Sequence, residues 1–222
     1  MLVASGVCLF VALVAAVWTV VLGDATRARS ASPPGGPKAP PARNPNAPLI
    51  GIVAGHTGYD PGAVCPDGLT EAEVNQTVAR EVMALLERKG IATDLLSEFD
   101  PRLPGYRADA LVSIHADSCT IPGASGFKVA RVTLSAIPQA EDRLVACLIT
   151  EYTQATGLPE HPASITDGMT NYHAFSEITP DTPGAIIETG FMLEDRFLLE
   201  SRPRQVARGI AAGIVCFLEG GP

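Results

Sequence analysis

Four polar residues stand at positions from which they could assemble a metal site. His56 follows one apolar run, His115 and Glu188 lie inside two others, and Glu71 stands near the start of an amphipathic helix. An imidazole or carboxylate is costly in an apolar interior unless it is paired or binds a metal. Two histidines and one glutamate form a three-ligand set for zinc that leaves one position for water. Glu188 would then be an unligated carboxylate that takes a proton from water and passes it to a leaving amine.

Each of these residues also has a simpler interpretation when it is considered alone. A single histidine near a strand end is commonly a hydrogen-bonded structural group. Glu71 could merely complement the positive end of a helix dipole, and Glu188 could belong to a partly buried ion pair. The occurrence of all four on separate elements favours the metal site.

The surrounding pattern predicts an α/β domain with a twisted, largely parallel sheet flanked by helices. Apolar runs predict five strands, at residues 49–53, 91–96, 110–116, 127–133 and 185–190. Apolar residues at helical spacing predict three helices, at residues 70–90, 138–156 and 203–218. Residues 157–183 are predicted to be a loop with a short strand near Tyr172. In such sheets ligands bind beyond the carboxyl ends of the strands.

Composition excludes several classes of protein. The chain has 222 residues, 46% of them hydrophobic, and a formal net charge of −8. Residues 1–48 carry four basic and one acidic residue (+3), whereas residues 49–222 carry twelve basic and twenty-three acidic residues (−11). An acidic domain without a basic stripe argues against nucleic acid as a partner. The five cysteines form no CxxC pair, so a cysteine-rich zinc module is not indicated.

The first part of the chain reads as a membrane segment and a spacer. Residues 1–23 contain no charged side chain and are long enough to cross a bilayer as a helix, either as an uncleaved signal anchor or as a signal peptide. Residues 24–48 form a linker, in which seven prolines fall between Ser30 and Pro48. The folded domain is predicted to span residues 49–222.

The charges beside this segment conflict with export. Arg27 and Arg29 follow the apolar stretch, and no lysine or arginine precedes it. The positive-inside rule would therefore place the C-terminal side in the cytoplasm. The chemistry of the predicted site favours the opposite side of the membrane.

Three motifs together resemble the zinc-dependent N-acetylmuramoyl-L-alanine amidases of type 3. The motifs are Gly55-His56 with Asp60-Pro-Gly-Ala63, Gly68-Leu-Thr-Glu71 and Asn75; Ser113-Ile-His-Ala-Asp117; and Ile187-Glu-Thr-Gly-Phe191. Their order and spacing agree with the family from Leu49 to about Leu218. The resemblance implies a single catalytic domain with a phosphorylase/hydrolase-like α/β fold.

The resemblance also implies roles for individual residues. His56, Glu71 and His115 would be the ligands of Zn²⁺, and Glu188 would be the catalytic glutamate. Glu71 is preferred to Glu73 because the family's ligand stands four residues before the asparagine that falls at Asn75.

The cysteines near the predicted ligands allow three interpretations. Cys65 and Cys119 each lie within six residues of a ligand, so they could form a disulfide that braces the metal loops. Free thiols, or one cysteine acting as a fourth zinc ligand, are the alternatives. Cys147 and Cys216 are predicted to be helix core residues.

Further polar residues have less specific expectations. His161 and His173 are expected at the surface, although His173 could approach a substrate. Asp117 is either a hydrogen-bond partner of the metal ligands or a strand-end cap. Gly62 and Gly68 are expected to form turns.

The combined interpretation is a cell-wall hydrolase of the cell envelope, membrane-anchored or secreted, and monomeric. Its substrate would be peptidoglycan, cleaved between N-acetylmuramic acid and L-alanine. Two alternatives remain open: a zinc hydrolase of the same fold acting on another amide or peptide, and a non-catalytic wall-binding or regulatory module.

Overall fold

The apolar runs of the sequence form one five-stranded sheet in the computed structural model, which describes residues 46–222. The predicted membrane segment at residues 1–23 and most of the linker at residues 24–48 lie outside the described residues. Within residues 46–222, no helix combines the length and the apolar character that a membrane span requires.

The sheet is mostly parallel, as predicted. Its strands are β1 (Leu49–Ala54), β2 (Ala92–Leu96), β3 (Ala110–Asp117), β4 (Lys128–Ala130) and β5 (Gly184–Phe191). Their spatial order is β2-β1-β3-β5-β4, and only β4 runs antiparallel to its neighbour. The carboxyl ends of β1, β2, β3 and β5 therefore meet along one edge.

Six helices lie among the described residues 46–222, and they cover the two faces of the sheet unequally. They are α1 (Glu71–Glu87), α2 (Pro138–Thr156), α3 (Asp167–Thr170), α4 (His173–Glu177), α5 (Arg196–Ser201) and α6 (Pro203–Leu218). Alternate side chains of β1 point to opposite faces of the sheet. Ile50 and Ile52 belong to the core beneath α1, α2 and α6, whereas Val53 belongs to a smaller core beneath α3 and α4. This alternation follows from the two-residue period of a strand.

The long helices begin and end as their sequences indicate. A capping box starts α1, in which the Thr70 side chain accepts from the Glu73 backbone N–H while the Glu73 carboxylate accepts from the Thr70 backbone N–H. Pro138 stands at the first turn of α2, and Gly157 ends that helix in a left-handed conformation.

Two local predictions are wrong. The strand predicted at residues 127–133 is shorter, because β4 spans only Lys128–Ala130. The short strand predicted near Tyr172 does not form, since residues 157–183 contain a 3₁₀ turn at Pro162–Ser164 and the short helices α3 and α4. Helices of four or five residues are too short to show a helical period.

The prediction that Cys147 and Cys216 are helix core residues is confirmed, since Cys147 is fully buried and Cys216 packs against the same core. The structure adds that the two cysteines form a disulfide, which joins α2 to α6 across 69 residues of sequence.

We expect the double variant Cys147→Ala/Cys216→Ala to fold but to lose stability. Chain-entropy arguments for a loop of this length give a loss of about 4 kcal/mol, because the unfolded state regains conformational freedom. Equilibrium denaturation without reductant measures the loss. Equal stability of variant and wild type would contradict a formed disulfide.

Candidate metal centre

The four residues selected from the sequence meet at the carboxyl edge of the sheet. His56 directly follows β1, while His115 and Glu188 lie on the neighbouring strands β3 and β5, where they are paired in register. Glu71 reaches the same place as the first residue of α1. The structure therefore brings together residues that are up to 132 positions apart.

The Glu71 carboxylate lies between the two imidazoles. Its Oε2 is 3.2 Å from His56 Nε2 and its Oε1 is 3.1 Å from His115 Nδ1. One ligating atom from each of the three residues lies within 4.8 Å of the others. Two imidazoles and one carboxylate at such distances are the donor set of a three-ligand zinc site, so these residues could hold a metal ion.

Two backbone N–H groups and one side-chain amide hold the Glu71 carboxylate in this position. Oε1 also accepts hydrogen bonds from the Ala116 backbone N–H and from Asn75 Nδ2, at 3.2 Å each. Oε2 accepts from the Ala63 backbone N–H at 3.1 Å. Asn75 lies one turn further along α1 and additionally donates to the Gly55 carbonyl, which ties the helix to the loop after β1.

Two glycines make room for these side chains. A Cβ on Gly55 would overlap the His115 ring, and a Cβ on Gly62 would lie 2.6 Å from Glu71 Oε2. Gly62 also has a φ of +64°, a backbone conformation that favours glycine, and its missing side chain leaves space for the Glu71 carboxylate. Of the non-glycine residues in 46–222, His56 alone has a positive φ, at 65°.

A carboxylate faces the outer nitrogen of each histidine. His56 Nδ1 is 2.6 Å from Asp60 Oδ1, and His115 Nε2 is 3.7 Å from Glu98 Oε2. Glu98 Oε2 also accepts a 2.6 Å hydrogen bond from the His56 backbone N–H. The Asp60 contact is a hydrogen bond, through which a carboxylate orients a histidine and selects its tautomer. Among residues 46–222, His115 Nε2 has no hydrogen-bond partner, so Glu98 acts on that ring through its charge. Glu98 therefore contacts both histidines.

The charges of the cluster are strongly coupled. Hydrogen bonding to Glu71 raises the pKa of His56 to about 9, against the opposing effect of burial. Burial disfavours ionised Glu71, but its bonds to both histidines outweigh this and hold its pKa well below the usual range. Burial likewise opposes ionisation of Glu98, yet the hydrogen bond from His173 helps lower its pKa to about 2. Glu71 and Glu98 are thus ionised at neutral pH, and a cation that bound His56 would have to displace the proton of that imidazole.

Glu188 has the properties of a proton-transfer group. Its Oε2 is inaccessible to solvent and has no hydrogen-bond partner. Burial raises the pKa of Glu188 to about 7, while the positive charges of His115 and Lys128 partly oppose this. A pKa near neutrality suits a group that both accepts and donates a proton.

Asp117 binds a lysine rather than a histidine. Its Oδ2 accepts a 2.5 Å hydrogen bond from Lys128 Nζ, and its Oδ1 accepts from the Ser118 backbone N–H. The strand-end cap was therefore the better of the two interpretations. The buried Lys128 lies opposite Glu188 on β4 and places a positive charge beside that carboxylate.

The disulfide between Cys65 and Cys119 is confirmed. It links the loop that precedes Glu71 to the segment that follows His115, and both cysteines are buried. A paired cysteine cannot be a free thiol or a fourth metal ligand, so the two competing interpretations are wrong.

Sequence reasoning missed Glu98 and misplaced two histidines. Glu98 follows β2 just as His56 follows β1, so the rule that selected the other site residues would also have found it. His173, expected at the surface, is half-buried and lies 3.1 Å from Glu98 Oε1 through its Nε2. His161 is also half-buried, against Phe191.

We expect Glu98→Gln to weaken metal binding by about 10- to 100-fold, because a neutral amide orients the two histidines less firmly. Competition between the protein and a chromogenic chelator for Zn²⁺ measures the affinity. Glu177→Gln is the matched control, since Glu177 binds the other nitrogen of His173 and contacts no histidine of the cluster. Equal affinities for both variants would argue against the role of Glu98.

We expect Cys65→Ala/Cys119→Ala to lower zinc affinity as well as stability, because the bridge joins two segments that carry cluster residues. Cys147→Ala/Cys216→Ala is the control, since that bridge lies between α2 and α6. The same competition assay should show weaker zinc binding only in the first variant. If zinc affinity fell equally in the control, the effect would be due to lost stability and not to the position of the Cys65–Cys119 bridge.

Comparison with known proteins points to one family. A family model described as N-acetylmuramoyl-L-alanine amidase matches residues 50–216. The amidase AmiC of Neisseria meningitidis serogroup B is 28% identical in an alignment 220 residues long. The alignment covers 78% of this chain and 53% of that protein. The chain thus spans about half the length of this curated relative.

Solved structures share the fold. The amidase AmiC2 of Nostoc punctiforme superposes with a TM-score of 0.59 at 25% identity, covering 78% of this chain and 97% of the other. An N-acetylmuramoyl-L-alanine amidase from Clostridium difficile 630 gives a TM-score of 0.63 at 21% identity, covering 79% and 98% of the two chains, and shows likeness of fold alone. With the family model matched over most of its length, this chain belongs to the N-acetylmuramoyl-L-alanine amidase family.

Proposed function

We propose that this chain is a zinc-dependent N-acetylmuramoyl-L-alanine amidase. It hydrolyses the amide between the lactyl group of N-acetylmuramic acid and the L-alanine of the stem peptide in peptidoglycan. The observation that carries the proposal is the convergence, at one edge of the sheet, of a three-ligand cluster with Glu188, a half-buried glutamate whose Oε2 has no hydrogen-bond partner. Family membership supplies the bond that is cleaved.

His56, Glu71 and His115 would hold the zinc ion. The donor set suits this metal. Asp60 accepts a hydrogen bond from the outer nitrogen of His56, as the partners of zinc-bound imidazoles do. A bound Zn²⁺ would supply Lewis acidity, which polarises a carbonyl and acidifies water.

Glu188 would move the proton. Its carboxylate accepts a proton from the attacking water, whose oxygen forms a bond to the lactyl carbonyl carbon. The same carboxyl then donates the proton to the alanine nitrogen as the C–N bond breaks. The products are a lactyl carboxylate on the sugar and a free L-alanine amine on the peptide. Because burial raises its pKa to about 7, Glu188 can perform both transfers near neutral pH.

The proposed site of action is the cell envelope, outside the cytoplasm. Two disulfides among the described residues fit an oxidising compartment, which supports export in spite of the basic residues at positions 27 and 29. The protein would be anchored through residues 1–23 or secreted, with residues 24–48 as a linker and residues 49–222 as the catalytic domain. It would act as a monomer.

Glu188→Gln should abolish hydrolysis while zinc remains bound. We expect at least about a thousandfold loss in rate, because the amide cannot accept the proton. The full chain is incubated with purified peptidoglycan, with and without a chelator, and mass spectrometry identifies the released peptides. Glu87→Gln is the matched control, because Glu87 is exposed at the end of α1 and contacts only Thr93.

The products distinguish the alternatives. Zinc-dependent release of stem peptides with a free L-alanine amine supports the proposal. Stoichiometric zinc without any release would favour another amide substrate, and absence of both would favour a non-catalytic wall-binding module. Release that persists in Glu188→Gln would contradict the role given to Glu188.

A further inference from the structure

A continuous row of aromatic rings leads from the ligand cluster to the solvent. His115 contacts Tyr172 with a centroid distance of 5.6 Å, and Tyr172 contacts His173 at 4.6 Å. His173 stacks on Phe99 at 4.2 Å, and Phe99 meets Tyr59 at 4.6 Å. Each ring is therefore held by the one before it.

Exposure rises along this row. Tyr172 is 8% exposed, whereas Phe99 is 51% exposed and Tyr59 is 68% exposed. The Phe99 and Tyr59 rings meet at 71°, so together they form an L-shaped surface that we call the aromatic corner. Exposed aromatic side chains beside a candidate active site commonly mark a binding surface.

The aromatic corner is fixed relative to the ligands. Tyr59 belongs to the tight turn after β1, where its backbone N–H donates to the His56 carbonyl at 3.1 Å. Phe99 directly follows Glu98, whose carboxylate accepts from the His56 backbone N–H. Both rings are thus attached to the backbone that presents His56.

Strand order gives the bound substrate a direction. Glu188 on β5 must face the alanine nitrogen, to which it donates a proton in the proposed function. The acyl half of the substrate, which carries the sugar, then extends away from β5. In the order β2-β1-β3-β5-β4, that direction leads over β1 and β2, beyond which Tyr59 and Phe99 lie.

We propose that the aromatic corner binds the pyranose ring of the N-acetylmuramic acid residue whose lactyl amide is cleaved. This assignment rests on the proposed function. The C–H face of a sugar packs on an aromatic face. Because the Tyr59 and Phe99 rings meet at 71°, one of them can contact the face of a pyranose while the other contacts its edge.

Two substrates that differ only in the sugar test the assignment. N-acetylmuramoyl-L-alanyl-D-isoglutamine contains the ring, and lactoyl-L-alanyl-D-isoglutamine lacks it. For the full chain with zinc, we expect Tyr59→Ala and Phe99→Ala each to lower the ratio of the two kcat/KM values by about tenfold. Tyr59→Phe should retain the ratio, because it keeps the ring.

Phe197→Ala is the matched control, since Phe197 is equally exposed (65%) but follows β5 and packs on Arg202. Its ratio should equal that of the wild type. Zinc content is measured for every variant, so that a disturbed ligand cluster is recognised.

The outcomes separate this inference from the function on which it rests. A selective loss on the sugar-bearing substrate supports the aromatic corner. An equal loss on both substrates, which indicates a contact with the peptide, or no loss at all overturns it while leaving the amidase function intact. A wild-type chain that cleaves neither these substrates nor peptidoglycan overturns the proposed function, and the sugar assignment with it.

Discussion

The Glu71 carboxylate between two imidazoles is the interaction on which the rest of this structure depends. A buried carboxylate is tolerable only when charges and hydrogen-bond donors surround it. Here His56 and His115 supply the charge, while Asn75 and two backbone N–H groups supply further donors. Three separate elements, β1, β3 and α1, must therefore be in register before the cluster exists. The disulfide between Cys65 and Cys119 joins two of the segments involved.

The order of the strands determines where each residue of the candidate site lies along the edge of the sheet. The central strands β1 and β3 present the two histidines, and β5 presents Glu188 on one side of them. Glu98 and the aromatic corner follow β1 and β2 on the other side. A parallel sheet allows this arrangement because all of its carboxyl ends open onto one edge.

Much of this organisation could be predicted because polar residues interrupt apolar strands. That signal led to His56, His115 and Glu188, and the structure brings them together. Glu98 escaped because the segment after β2 lacks a regular period, although its position at a strand end carried the same signal. The Cys147–Cys216 bridge could not be predicted, since a cysteine on the apolar face of a helix has the same pattern whether it is paired or free. Helices α3 and α4 are shorter than the period that would reveal them.

The left-handed backbone of His56 restricts how the proposed metal site could be redesigned. At a φ of 65°, histidine belongs to the few residues other than glycine that adopt the conformation with moderate strain, together with asparagine and aspartate. A β-branched residue there would be strongly disfavoured, whatever its side chain offered a metal. An attempt to alter metal selectivity by exchanging ligands should therefore begin at His115, which lies on a regular strand. Exchange at His56 would change the backbone and the donor atom together.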